Sequence, residues 1–341
     1  MGQGAESETR AEPSIEIQER GEIFFFYRPK VDKEEAQGAE DVQRLYLVLR
    51  PESGQRSFEE KQAPHSGKEG AKQMQAEYSE TNKEEREEEE GGGTGGGHGS
   101  HQVNIEEQPL LRFIVMGRKS LPNTSNKGTP YWGFVEMVTT QIEHLKAALK
   151  GEQYETATRG HRHLPDARAV GEGVYRILKH TDNTSKPGIW SSKRMHTHLI
   201  YKLEYPPEGE EEKPQEALNI AREASFLIQI KNPEQHQQGQ GGFRGGLKKK
   251  RKAAFPAHLQ GLFGNNRNHP ADPPDFLNYE GCEFLLISAA DDIEQELDLD
   301  LKIEQEQDAG AGLLAHECSD LIKTFGEDAA STRPLFEGTW V

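Results

Sequence analysis

Cysteine is scarce. The 341-residue chain holds two, Cys282 and Cys318, far apart and without a Cys-x-x-Cys spacing. That excludes a disulfide framework and a cysteine-based zinc motif, and it fits a reducing, intracellular compartment. Apolar residues are also few, at 33% of the chain. Such a composition buries one good core and leaves much of the chain in water. No apolar run approaches the ~20 residues of a membrane-spanning helix. The longest, such as Ile23–Tyr27 and Phe284–Ile287, are strand-sized. The opening MGQGAESETRAEP lacks the apolar stretch of a secretory signal. Glu6 stands where a myristoylation signal on Gly2 requires Ser or Thr. Without a secretory route, the glycosylation patterns at Asn123 and Asn183 are chance matches. Positive charge is outweighed too: the formal charge is −17, which excludes a surface that binds nucleic acid all over.

What is present is a series of short apolar runs separated by polar stretches. Glu22-Ile-Phe-Phe-Phe-Tyr-Arg-Pro and Arg44-Leu-Tyr-Leu-Val-Leu-Arg-Pro read as buried strands closed by Pro29 and Pro51. Leu110–Met116, Gly173–Lys179, His198–Tyr205, Ala224–Lys231 and Cys282–Ser288 read as further strands. Val135, Val138, Ile142, Leu145 and Leu149 recur at intervals of three and four, one face of a helix that Gly151 ends. About seven strands and one long helix predict an α+β domain, mainly an antiparallel sheet or small barrel. The connections suit antiparallel pairing better than helical crossovers.

The expected layout has a disordered N-terminus over residues 1–20 and the first part of the core domain over 21–51. A disordered acidic and glycine-rich insertion follows over 52–108, with the Glu84–Glu90 run and the Gly91–Gly97 tract. Ordering costs about 1–2 kcal/mol per residue, and this segment has too little apolar surface to offset it. The tract lacks the Lys-Ser/Thr of a phosphate loop and reads as a linker. The remainder of the core spans 109–289, with a Gln/Gly loop at 233–246. Residues 290–341 form an acidic, partly helical tail with a short helix at 312–325.

Three polar constellations carry chemistry. His161 and His163 form one His-x-His pair, His196 and His198 another. In extended chain each pair puts both imidazoles on one face. With Glu172 as an oxygen ligand they compose a transition-metal set, the basis of a metal-dependent, cupin-like enzyme. The plainer reading makes them polar loop residues before the Gly173 strand. Between Arg159 and Lys202 stand nine Lys/Arg against three acids, Asp166, Glu172 and Asp182. Arg159, Arg162, Arg168 and Arg176 are therefore candidates for an anion or acidic-partner site, since guanidinium presents rigid paired donors. Inside a barrel the same cluster would bind a small ligand. Internal pairing, such as Arg168 with Glu172, is the bland alternative. Lys248, Lys249, Lys250, Arg251 and Lys252 compose a nuclear-import candidate. No recognition helix or stacking-aromatic pattern accompanies that run, so sequence-specific nucleic-acid binding is not expected. A GxSxG elbow is absent, and Cys282 opens an apolar strand as a small buried hydrophobe.

Four segments, in order, resemble a known family: Glu22-Ile-Phe-Phe-Phe-Tyr-Arg-Pro-Lys-Val, Tyr154-Glu-Thr-Ala-Thr-Arg-Gly-His-Arg-His, Glu172-Gly-Val-Tyr-Arg-Ile and Ser225-Phe-Leu-Ile-Gln-Ile-Lys-Asn-Pro. With the closing Gly338-Thr-Trp, they are similar to an uncharacterised eukaryotic family whose fungal members are labelled "BTB domain transcription factor". The resemblance covers residues 21–50 and 110–289. It implies a nuclear or cytoplasmic protein with one α+β core and variable disordered insertions, and it assigns no activity to any residue. The leading expectation is a non-enzymatic interaction or regulatory protein with a basic, partner-binding face and no cofactor.

Overall fold

The computed structural model describes residues 15–52, 59–62, 100–103, 110–123, 129–182, 194–207, 213–235, 251–289, 320–326 and 330–341. In chain order the strands are β1 (Ile15–Pro29), β2 (Val42–Pro51), β3 (Glu59–Gln62), β4 (Ser100–Val103), β5 (Leu111–Met116), β6 (Tyr131–Thr139), β7 (Glu152–Thr156), β8 (Gly160–Leu164), β9 (Arg168–Asp182), β10 (Arg194–Tyr205), β11 (Glu223–Lys231), β12 (Asn268–Pro270) and β13 (Glu283–Ser288). The helices are α1 (Ile142–Leu149), α2 (Lys213–Ala217), α3 (Ala257–Leu262), α4 (Asp320–Phe325) and α5 (Arg333–Glu337). Among the described residues no helix is long and apolar enough to cross a membrane.

Eight strands close a barrel in the order β10-β9-β1-β2-β5-β6-β13-β11, and pairing of β10 with β11 completes the ring. Every neighbouring pair in it is antiparallel. The unbroken Ile23–Tyr27 run has a direct cause. Ile23, Phe25 and Tyr27 face the interior with Leu45, Leu47 and Leu49. Phe24 and Phe26 face outward into a second core made with Leu145, Leu149, Leu321, Phe325, Leu335 and Phe336. A strand covered on both faces has no polar side to alternate with. The interior is filled: Phe25, Tyr175, Tyr201, Phe226 and Phe284 are each at most 2% exposed, as narrow barrels of eight strands allow. At Gly173 the strands approach so closely that a Cβ would lie 2.0 Å from the Lys202 carbonyl oxygen, the role of glycine at a barrel bend.

Several expectations need correction. The long helix is absent: α1 has eight residues, and Val135 and Val138 belong to β6. The ladder shifts register there, with Ile114 opposite Val135 and Phe113 opposite Met137, leaving Glu136 as the extra residue. The bulge turns Val135 and Val138 to the same interior face, so two strand residues three apart imitate a helical repeat. This hidden strand raises the barrel count from the expected seven to eight. Residues 15–20, expected to be disordered, belong to β1. Within the insertion, β3 pairs with β4; its acidic run and glycine tract lie outside the described residues, as do most of the Gln/Gly loop and residues 312–319 of the short tail helix. The tail is part of the domain: Leu321, Phe325, Leu335 and Phe336 complete the outer core, and Ala169 N–H donates to the Ser331 carbonyl at 2.9 Å.

The two ends differ. The lower end, where β1 begins, holds charge inside the barrel: Arg112 Nη1 and Nη2 donate to Glu19 Oε1 and Oε2 at 2.6 and 2.9 Å. Arg112 Nε donates to Asn278 Oδ1 at 2.7 Å, and the Tyr175 hydroxyl to Glu19 Oε1 at 2.8 Å. Asn278 ends the 3-10 turn Pro274–Asn278, so this network latches a connecting turn onto the barrel. The upper end gathers the β1–β2 and β5–β6 connections and the β7–β8 hairpin that precedes β9.

Candidate functional site

β7 and β8 pair only with each other, from Glu152 opposite Leu164 to Thr156 opposite Gly160. They form an arm on the upper end. Its turn follows from sequence: Gly160 adopts φ +66, which glycine reaches at no steric cost, and Arg159 N–H donates to Thr156 Oγ1 at 3.1 Å. Its base is clamped. Arg28, 3% exposed, donates to the Ala148 carbonyl and the Pro165 carbonyl at 2.7 Å each, on either side of the arm. Gly151 N–H donates to Asp166 Oδ1 at 2.6 Å.

The β1–β2 connection grips β8 along its outer edge. Asp32 N–H donates to the His163 carbonyl, and His163 N–H to Asp32 Oδ1, both at 2.8 Å. Asp32 Oδ2 lies 2.8 Å from Arg162 Nε, and Glu34 Oε1 lies 2.6 Å from His163 Nδ1. Asp32 and Glu34 escaped the sequence reading, which saw only a polar loop. Asp32 also takes φ 64, a conformation in which Asp is enriched among non-glycine residues; no one-dimensional pattern in this chain announces either role.

The four arginines do not converge. Arg159 sits exposed in the turn of the arm, and Arg162 is ion-paired with Asp32. Arg168 donates to the carbonyls of Asp166 at 2.9 Å and Glu34 at 3.1 Å, so it bonds carbonyls where Glu172 was expected. Arg176 lies eight residues further along β9, about 25 Å away in an extended strand. The histidine pairs are likewise separate. His161 is 92% exposed with Glu155 at 4.0 Å, and His163 meets Glu34. His196 and His198 stand at the far end of β10, where His198 Nδ1 lies 3.2 Å from Ser225 Oγ and its ring packs edge-on to His180. In the β9–β10 ladder His198 faces Leu178 and Tyr205 faces Glu172, which puts about 20 Å between that pair and Glu172. Among the described residues no group of three or more His, Cys, Asp or Glu is arranged to hold a metal ion.

Lys248, Lys249 and Lys250 lie outside the described residues. Arg251 is ion-paired with Glu136 and sits over the Phe134 ring at 5.4 Å, and Lys252 Nζ donates to the Pro233 carbonyl at 3.4 Å. Cys282 is fully buried, and burial pushes its thiol well up; it is no nucleophile. Burial also raises the Tyr27 hydroxyl, which donates to the Val341 carbonyl at 2.9 Å beside the Trp340 ring. Compared with known proteins, the chain matches no family model, no curated protein and no solved structure.

Proposed function

We propose that this chain is a non-enzymatic interaction protein in which the filled barrel is a scaffold and the β7–β8 arm is the recognition element. The observation that carries the reading is the contrast within the arm. Its base is fixed by Arg28, Asp32, Glu34 and Asp166, while its tip, with Arg159 and His161, is exposed. A pre-oriented arm loses little conformational entropy when it is bound. Asp32 answers Arg162 within the domain, so the cation offered outward is Arg159, with His161 beside it; an acidic partner matches that tip. The packed interior weighs against a small-ligand barrel, and the separation of the histidine pairs weighs against a metal-dependent enzyme. A nuclear or cytoplasmic location fits this role, with import through Lys248–Lys252 requiring Arg251 to leave Glu136.

The test uses a fluorescent ten-residue glutamate-rich peptide and anisotropy titration of the full chain. Replacing Arg159 and His161 together by Glu should weaken binding at least ten-fold, while Arg176→Glu should leave it within two-fold. Equal affinity of the tip variant and the parent would remove the arm from the proposal.

A further inference from the structure

The outer wall over β1, β9, β10 and β11 holds buried side chains that neither core accounts for. Strand register lays one straight row across it. Arg20 on β1 stands opposite Arg176 on β9, Arg176 opposite Ile200 on β10, and Ile200 opposite Ser225 on β11. Residues directly opposite in antiparallel strands share a face. Tyr175 and Tyr201, next in sequence, point inward, so this row points outward. Nearer the lower end, Ile17 faces Leu178, and Leu178 faces His198. Leu178 and Ile200 are each 0% exposed, whereas Ile17 beside them is 40% exposed. An outward residue on a barrel is buried only under further chain. Yet neither Leu178 nor Ile200 belongs to the interior core or to the outer core beneath the C-terminal helices.

Connectivity narrows the choice of occupant. Ala289 N–H donates to the Ser225 carbonyl at 3.0 Å, so the chain leaves β13 at one end of the row. It is next described at α4, where Phe325 packs edge-on to Phe24 at 5.1 Å, on β1 just beyond Arg20. Residues 290–319 lie outside the described residues. In the ring, β10 and β9 stand between β11 and β1. The shorter way round, about 14 Å in three strand spacings, therefore crosses Ile200 and Arg176. Composition agrees. Ile293, Leu297, Leu299, Leu301 and Ile303 punctuate a stretch, 291–308, that holds nine acids and one lysine. On the wall, Arg176 is half-buried without an acidic partner among the described residues. Arg20 has Glu52 at 3.8 Å, both more than half exposed. The other stretches outside the described residues fit less well: 183–193 and 236–250 carry net positive charge, and the Glu84–Glu90 run has no apolar residue.

We infer that residues 291–303 dock in cis on this wall, with their apolar side chains against Leu178 and Ile200 and their carboxylates toward Arg20 and Arg176. The wall is an acidic-peptide site that the chain fills with its own segment. Apolar burial supplies the attraction, and the two arginines select an acidic occupant over a basic one. The inference is independent of the arm.

Two measurements on the full chain test it. In the first, p-benzoylphenylalanine in place of Arg176 is irradiated, and the intramolecular crosslink is located by mass spectrometry after proteolysis. The expected crosslink is to residues 290–308. A crosslink to 53–109, 183–193 or 236–250, or none at all, would overturn the inference. The second is anisotropy titration with a fluorescein-labelled peptide of residues 291–308. Leu297→Ser, Leu299→Ser, Leu301→Ser and Ile303→Ser together vacate the wall, so this variant should bind the peptide about ten-fold more tightly than the parent. Adding Arg20→Glu and Arg176→Glu should weaken that binding about ten-fold. Equal affinity of the parent and the Ser variant, or no effect of the arginine reversal, would overturn it as well. The crosslink leaves the segment unchanged, and it decides the matter if the Ser variant fails to fold.

Discussion

Glu19 and Arg112 stand 93 positions apart in the chain and meet inside the barrel, the guanidinium 0% and the carboxylate 5% exposed. Both carboxylate oxygens accept from the same guanidinium, and Asn278 and Tyr175 use the remaining directions. The pair spans β1 and β5, which β2 separates, and reaches the turn that covers the lower end. Burial of two charges is expensive, and the attraction between them only offsets that cost when the geometry is good. Removal of one partner is another matter. Arg112→Ala leaves Glu19 charged and enclosed, and should cost about 3–5 kcal/mol of stability. The double variant Glu19→Leu with Arg112→Met should recover most of that loss. Urea unfolding of the three proteins checks it: a loss below about 1 kcal/mol in Arg112→Ala would mean that water reaches the pair.

The C-terminal segment gives a second expectation. Phe336 is 7% exposed and packs edge-on to Tyr205 at 5.6 Å, while Gln215 Nε2 donates to the Pro334 carbonyl at 3.0 Å. Phe336→Ala should therefore destabilise the whole barrel by about 3 kcal/mol, with one cooperative transition. A solvated appendage would tolerate the change within about 0.5 kcal/mol.

Alkaline pH tests the filled interior. Burial raises the Tyr201 hydroxyl far above its ordinary 10.0, the Ala221 backbone offsetting little of this. The folded state keeps this proton where the unfolded chain releases it. The stability tied to it is thus fully present below pH 10 and falls as pH rises beyond, by about 1.4 kcal/mol per pH unit for each such group. Tyr201→Phe should match the parent near pH 8 and lose less stability between pH 10 and 11.5. Identical alkaline profiles would show that Tyr201 is not a titrating group of the interior.

Seven of the eight barrel strands were legible because each is a local apolar run with a turn signal at its end, as Pro29 closes one and Pro51 another. β6 was not, since the Glu136 bulge gives Val135 and Val138 a spacing that belongs to helices. The Tyr154–His163 segment was legible as a polar constellation and illegible as a hairpin arm. Its partners, Asp32 and Glu34, lie 131 and 129 positions before His163, and nothing in either stretch names the other.

The amino-acid sequence by itself did not set that the strands bury two cores, one on each face of the sheet; it did determine that short apolar strands would build the domain, in an acidic chain with long polar interruptions. Those outcomes rest on composition and on periodicity within a few residues, which hydrophobic burial and chain entropy read directly. Tertiary structure alone decided that the sheet closes on itself, that charged Arg112 belongs inside, that Asp32 and Glu34 clamp the arm, and that Trp132 lies against Gly117. Each of these depends on which strands become neighbours and in what register. A one-residue slip would send every one of those side chains to the other face, and only the simultaneous packing of both barrel faces selects the register that is adopted.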